Sequence, residues 1–111
     1  MDRRATLAAL VAFDRPLPEL QTALDALDPD PQAAATIRRA DIAGVIRRFQ
    51  AGELGAGEVE TWAALVECRD DLEFEPRHEE QVADALYDLA NPDVQGGLAD
   101  VAQDVLAVLG T

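Results

Sequence analysis

Residues 67–80, ECRDDLEFEPRHEE, hold the densest group of side chains that could do chemistry, with seven carboxylates, two arginines, one cysteine and one histidine. His78 and Glu79 resemble half of a zinc-protease helix, but that helix needs a second histidine four residues on, and the chain has only one. The same two residues could converge with Glu73 and Glu75 on a divalent cation, although the D-x-D-x-D-G loop of an EF-hand is missing. We therefore predict no metal and no cofactor.

Catalysis by these residues needs partners that the sequence does not supply. Asp70 beside Asp71 or Glu73 could act as an acid/base pair only in a pocket that separates their protonation behaviour. The chain has no serine, and the thiol of Cys68 would depend on His78 as its base. We predict that Cys68 is a small apolar filler and that the protein is not an enzyme.

Three aromatic side chains could recognise a ligand or a partner. Trp62 and Tyr87 fall on predicted helices, where such residues more often lie in the core or at its edge. Phe74 stands between Glu73 and Glu75. It either anchors its loop in the core or is an exposed aromatic ringed by carboxylates, which is the composition of an interaction hot spot.

Charge divides the chain into two unequal parts. Residues 1–49 carry seven arginines and seven acids, whereas residues 50–111 carry two arginines and fifteen acids, so the whole net charge of −13 belongs to the second part. Such a surface repels phosphate backbones and anionic lipids and speeds encounter with a basic partner. We predict no direct binding of nucleic acid or membrane. The alternative is that the charge only keeps the protein in solution.

The elements that must position these residues are all predicted to be helices, because no stretch alternates with a period of two. The clearest is a central helix ending at Gly52, whose apolar face consists of Ile42, Val45, Ile46 and Phe49. The others are predicted at residues 4–13, after Pro16 and Pro18, from Glu58, at residues 76–90 and at residues 98–109. Helices joined by short loops predict an all-α fold, a compact bundle of five to six short amphipathic helices.

The length of 111 residues fits a single domain over residues 1–111. Within it, we expect residues 1–28 to form an N-terminal helical hairpin joined to the rest by a loop at 28–35. A single cysteine cannot form an internal disulfide, which favours a reducing, cytoplasmic location.

The N-terminal residues have the outline of a signal peptide, with Arg3 and Arg4 ahead of an apolar run. Asp14 and Arg15 interrupt that run, and its leucines already have the spacing of a packed helical face, so we predict a core helix instead. No apolar run in the sequence approaches the ~20 residues of a transmembrane helix.

Residues 40–92 carry a resemblance to known proteins. They contain a helix ending in an AGEL turn, a helix with Trp62, an RDDLEFE connection and an LANP sequence. This pattern resembles small, acidic, helical bacterial proteins of uncharacterised function, similar in general character to immunity proteins that neutralise toxin nucleases. The specificity helix and paired tyrosines of the colicin DNase immunity family have no match here, so no functional residue is carried over.

The resemblance and the charge together predict a protein-binding surface. A toxin nuclease has a basic groove for phosphates, which an acidic helical domain could occupy. The predicted partner-binding residues, with Phe74 as the apolar anchor and the acids as steering charges, are Glu67, Asp70, Asp71, Glu73, Phe74, Glu75, Glu79 and Glu80. Reversing Asp70, Asp71 and Glu73 is expected to weaken binding and leave melting nearly intact. The alternatives are a homodimeric helical adaptor and a metal-dependent enzyme or regulator.

Overall fold

Six helices and two short strands make up the described part of the chain, which in this computed structural model is residues 3–27, 34–69, 71–91 and 97–109. The order is α1 (Arg3–Ala12), α2 (Leu17–Asp25), β1 (Ala35–Ile37), α3 (Arg39–Gln50), α4 (Ala56–Glu67), β2 (Leu72–Phe74), α5 (Glu79–Ala90) and α6 (Leu98–Leu109). The predicted all-α bundle is confirmed, with one small sheet added to it.

Local sequence explains where the helices begin. Asp41 and Glu58 lie three residues after the N-caps of α3 and α4, and their carboxylates accept the N-cap backbone N–H at 2.9 Å in both cases. A carboxylate there satisfies one unpaired donor and favours the positive end of the helix dipole. Pro18 lies in the first turn of α2, where its missing N–H removes no helical hydrogen bond.

Two helices end in the same hydrogen-bond pattern. After α3, Gly52 adopts a φ of 84°, and the N–H of Glu53 reaches back to the Arg48 carbonyl at 2.9 Å. After α1 the left-handed position is taken by Phe13, with a φ of 50°, and the N–H of Asp14 reaches the Ala9 carbonyl at 3.3 Å. Glycine is usual at this position, so a bulky residue there must be held by its surroundings.

Packing around Trp62 supplies that support. The Phe13 ring stacks on the fully buried indole of Trp62, with 6.0 Å between ring centroids. The indole N–H donates to the Leu10 carbonyl of α1 at 2.6 Å, and Arg48 of α3 donates to the Phe13 carbonyl at 2.8 Å. The prediction that Trp62 is a core residue is confirmed. α1, α3 and α4 are therefore tied together at one point.

The core is one cluster of buried apolar side chains to which every described element contributes. Helix α5 is central to it, because it contacts α3, α4, α6 and β2. Helices α1 and α2, predicted to form an N-terminal hairpin, contact each other, and α1 also packs on β1, α3 and α4. Leu7, Leu10 and Val11, expected to face the core, are buried.

Strands β1 and β2 correct the prediction that only helices would form. They pair in parallel with Ala35 opposite Leu72 and Ile37 opposite Phe74. The N–H of Ala34 donates to the Asp71 carbonyl, and that of Glu75 to the Ile37 carbonyl, each at 2.9 Å. A three-residue strand is too short to show a period of two, so its stability comes from the partner strand and from burial.

Two predicted boundaries also change. Ala35, placed in the loop at 28–35, begins β1, while residues 28–33 of that loop lie outside the described part. Helix α5 begins at Glu79 instead of Pro76, because Arg77 adopts a φ of 72° and the N–H of His78 closes a turn onto the Glu75 carbonyl. A left-handed residue cannot belong to a right-handed helix.

Candidate functional site

The acidic segment, residues 67–80, runs from the last residue of α4 through β2 to the first turn of α5. Four of its carboxylates belong to exposed residues: Glu67, Glu73, Glu79 and Glu80. Glu73 lies in β2, where its Oε2 accepts a hydrogen bond from the Thr36 hydroxyl of β1 at 3.3 Å. Glu79 and Glu80 lie in the first turn of α5, where the helix dipole favours negative charge.

Asp71 has the opposite environment, because its side chain is only 2% exposed. Its Oδ2 accepts from Arg3 of α1 and from Arg69, both at 2.6 Å, and its Oδ1 accepts from Arg69 Nε at 2.9 Å. The hydrogen bond from Arg69 lowers the pKa of Asp71, burial opposes this, and Arg3 adds to the lowering. The carboxylate therefore joins the start of α1 to the start of β2.

Glu75 is also bound by an arginine of the first half of the chain. Its Oε1 accepts from the Arg39 backbone N–H at 2.9 Å and from Arg39 Nε at 3.1 Å. These bonds, the backbone one first, lower the pKa of Glu75 against the opposing effect of desolvation. Arg39 Nη1 also donates to the Leu109 carbonyl at 3.4 Å, so it links the end of β2 to the end of α6.

The predicted partner-binding set is thus divided by the structure. Asp71 and Glu75 form salt bridges with arginines, so their negative charge is largely neutralised within the molecule. Phe74 is half-buried and packs against the core, which matches the reading of it as a loop anchor. Asp70 lies outside the described residues. The exposed remainder is Glu67, Glu73, Glu79 and Glu80.

These contacts change the expected effect of reversing Asp70, Asp71 and Glu73: we now expect the reversal at Asp71 to lower the melting temperature. A cation at this position would face Arg3 and Arg69 in a site with almost no access to water. Burying an unpaired charge beside like charges is strongly destabilising.

The four residues considered for a cation site, Glu73, Glu75, His78 and Glu79, do not come together as one group. No group of three or more His, Cys, Asp and Glu side chains comes together for a metal ion among the residues that the structure describes. The His78 Nδ1 is 3.0 Å from Gln81 Oε1, while the Glu75 carboxylate is occupied by Arg39. His78 and Glu75 therefore contact different partners, Gln81 and Arg39.

Two side chains are more exposed than predicted. Cys68, expected as an apolar filler, is exposed at the C-cap of α4. It lines a groove of about 370 Å³ between α2 and α4, together with Leu24 and Leu65. Tyr87, expected in the core or at its edge, is 53% exposed on α5. Cys68 follows the last residue of α4, and Tyr87 lies in the last turn of α5. Sequence periodicity locates the end of a helix only to within a residue or two.

A groove between α5 and α6 was missed by sequence reasoning. It has a volume of about 210 Å³ and is lined by Gln81, Asp84, Ala85, Asp88, Asp104, Val105 and Val108. One signal could have found it: acids recur at four-residue spacing along both helices, at Glu80, Asp84 and Asp88 on α5 and at Asp100 and Asp104 on α6. Residues four apart share a helix face, so each helix has an acidic stripe.

Comparisons with known protein families, with curated proteins and with solved structures gave no match for this chain. None of the helices in the described ranges is long and apolar enough to cross a membrane.

Proposed function

We propose that the protein is a non-catalytic protein-binding module whose acidic surface binds a basic protein partner, in the manner of an immunity protein that occupies the phosphate groove of a toxin nuclease. The observation that carries the proposal is the distribution of exposed charge. Helices α5 and α6 contain six acids and no basic residue, and the exposed acids of residues 67–80 adjoin the start of α5.

This surface suits a basic protein better than other ligands. Its carboxylates repel nucleic acid and anionic lipid, and they raise the rate of encounter with a cationic surface. The arginine pairs of Asp71 and Glu75 fix the backbone beneath the exposed Glu73. Less ordering is therefore needed when a partner binds, which favours affinity.

The proposal is tested with two variants of equal net charge. In the first, Glu67, Glu73 and Glu79 are changed to lysine. In the matched control, three exposed acids outside residues 67–80 and outside α5 and α6, namely Asp14, Glu19 and Glu53, are changed to lysine. Wild-type protein is used to capture partners from an extract of the source organism, and the association rate of the identified partner is then measured against salt concentration.

We expect the first variant to slow association about tenfold and to flatten its salt dependence, while the control changes the rate less than about threefold, because charges beyond a Debye length of about 8 Å are screened. Both should melt close to the wild type. Equal rates for the wild type and the first variant would reject the acidic surface as the binding site. Sedimentation of the protein alone at several concentrations tests the homodimer alternative.

A further inference from the structure

The groove between α5 and α6 combines an apolar floor with acidic sides. Ala85 and Val105 form buried parts of its lining, each 4% exposed, and Val108 is 63% exposed. Asp84 and Asp88 of α5 and Asp104 of α6 bring carboxylates from both helices to the same groove. Val108 and Tyr87 are the large hydrophobic side chains exposed in the described part of the chain, and both belong to this pair of helices.

The size and charge of the groove restrict what can occupy it. Its volume of about 210 Å³ is below the roughly 300–1,000 Å³ of small-molecule pockets. A second copy of the same face would place two acidic stripes against each other, and like charges opposed across an interface are unfavourable. What fits is an apolar side chain flanked by cations.

We propose that this groove seats a basic amphipathic helix of the protein partner. Its apolar side chains would pack on Ala85, Val105 and Val108, and its lysines or arginines would lie towards Asp84 and Asp104. Long cationic side chains suit such a site because their methylene stems cover apolar surface while the charge reaches a carboxylate. Helices recognised in grooves use this combination of apolar anchors and flanking charges.

The inference rests on the proposed function and adds the shape of the partner to it. Glu80 lies one helical turn before Asp84, so the exposed acids at the start of α5 continue into the side of the groove. A basic partner steered by residues 67–80 would meet the groove on the same side of α5.

The test uses a synthetic peptide of about 18 residues made of leucine and lysine, with the leucines on one helical face. A second peptide has the same composition in scrambled order. Three variants are compared with the wild type by fluorescence anisotropy: Val108→Asn, the pair Asp84→Lys with Asp104→Lys, and a control pair outside both surfaces, Asp14→Lys with Glu19→Lys. Circular dichroism confirms that each variant is folded.

We expect the scrambled peptide to bind about tenfold more weakly than the amphipathic one. Val108→Asn and the Asp84/Asp104 pair should each lower the affinity for the amphipathic peptide about tenfold, a difference of about 1.4 kcal/mol. The control pair should change its affinity less than about threefold. Equal affinity for both peptides would overturn the proposal that the groove binds an amphipathic helix. An equal loss of affinity in the groove pair and the control pair would also overturn it.

The outcome separates the two proposals. If lysine at Glu67, Glu73 and Glu79 weakens the amphipathic peptide while the groove variants do not, the acidic surface stands and the groove is rejected. If only the groove variants lower the affinity for the amphipathic peptide, the groove is supported as the binding site. The exposed acids of residues 67–80 are then rejected as part of it.

Discussion

Asp71 and Glu73 show how two acids of the same short segment acquire opposite roles. Asp71 lies just before β2 and is buried between Arg3 and Arg69, whereas Glu73 projects from the exposed side of the strand. Sequence reasoning treated both as surface charges, because composition shows how many carboxylates a segment has and not which one meets a distant arginine. Arg3 is 68 residues away from Asp71 along the chain.

Replacing Asp71 with asparagine should destabilise the protein by about 1.5–3 kcal/mol, the usual contribution of a hydrogen bond to a charged group. Both arginines would keep their positions near a neutral side chain and lose charge-assisted bonds. Glu73→Gln, the matched change at an exposed position, should alter the free energy of unfolding by less than about 0.5 kcal/mol. Urea unfolding at neutral pH measures both, and equal effects would contradict a structural role for Asp71.

The stability of the protein should fall in acid because of the same residues. The pKa values of Asp71 and Glu75 are lowered in the folded state, so the unfolded chain binds protons more readily. Their contribution is fully present above the unfolded values of about 4 and is lost as the pH falls through the folded ones. Urea unfolding between neutral pH and pH 3 should therefore be less pH-dependent in Asp71→Asn than in the wild type. An identical acid dependence would exclude Asp71 as a source.

At the scale of elements, the helices were largely readable from the sequence and the sheet was not. α6 has the predicted bounds, since its apolar residues repeat clearly over twelve positions. Strand β2 occupies three residues within an acidic stretch, and nothing local distinguishes them from a loop. Its pairing with β1 is a long-range interaction, which a reading of local periodicity does not detect.

Strand β1 is expected to be stabilised through a single side chain. Ile37 is fully buried, whereas the neighbouring Thr36 is only partly covered. Ile37→Ala should cost about 2–5 kcal/mol, because it removes buried methyl groups and leaves a cavity. Thr36→Ala loses one exposed hydrogen bond to Glu73 and should cost less than about 1 kcal/mol. Thermal or urea unfolding of both variants checks this, and similar losses would mean that β1 is not anchored by Ile37.

At the scale of the whole molecule, three arginines of the first half link separate parts of the fold. Arg3 and Arg39 reach into the acidic half, where they bind Asp71 and Glu75, and Arg48 binds the end of α1. The net charge of −13 was readable from composition. The groove between α5 and α6 was not, because it depends on how two acidic stripes are brought together by packing.

The salt bridge between Arg3 and Asp71 also bears on how the chain acquires its structure during synthesis. A ribosome adds about 5–20 residues per second, so the 68 residues between these partners take several seconds to appear. Leu7 and Leu10 of α1 belong to a core shared with the later elements, so they cannot be fully buried before those elements have been made. These two leucines therefore stay partly exposed on the nascent chain during that interval.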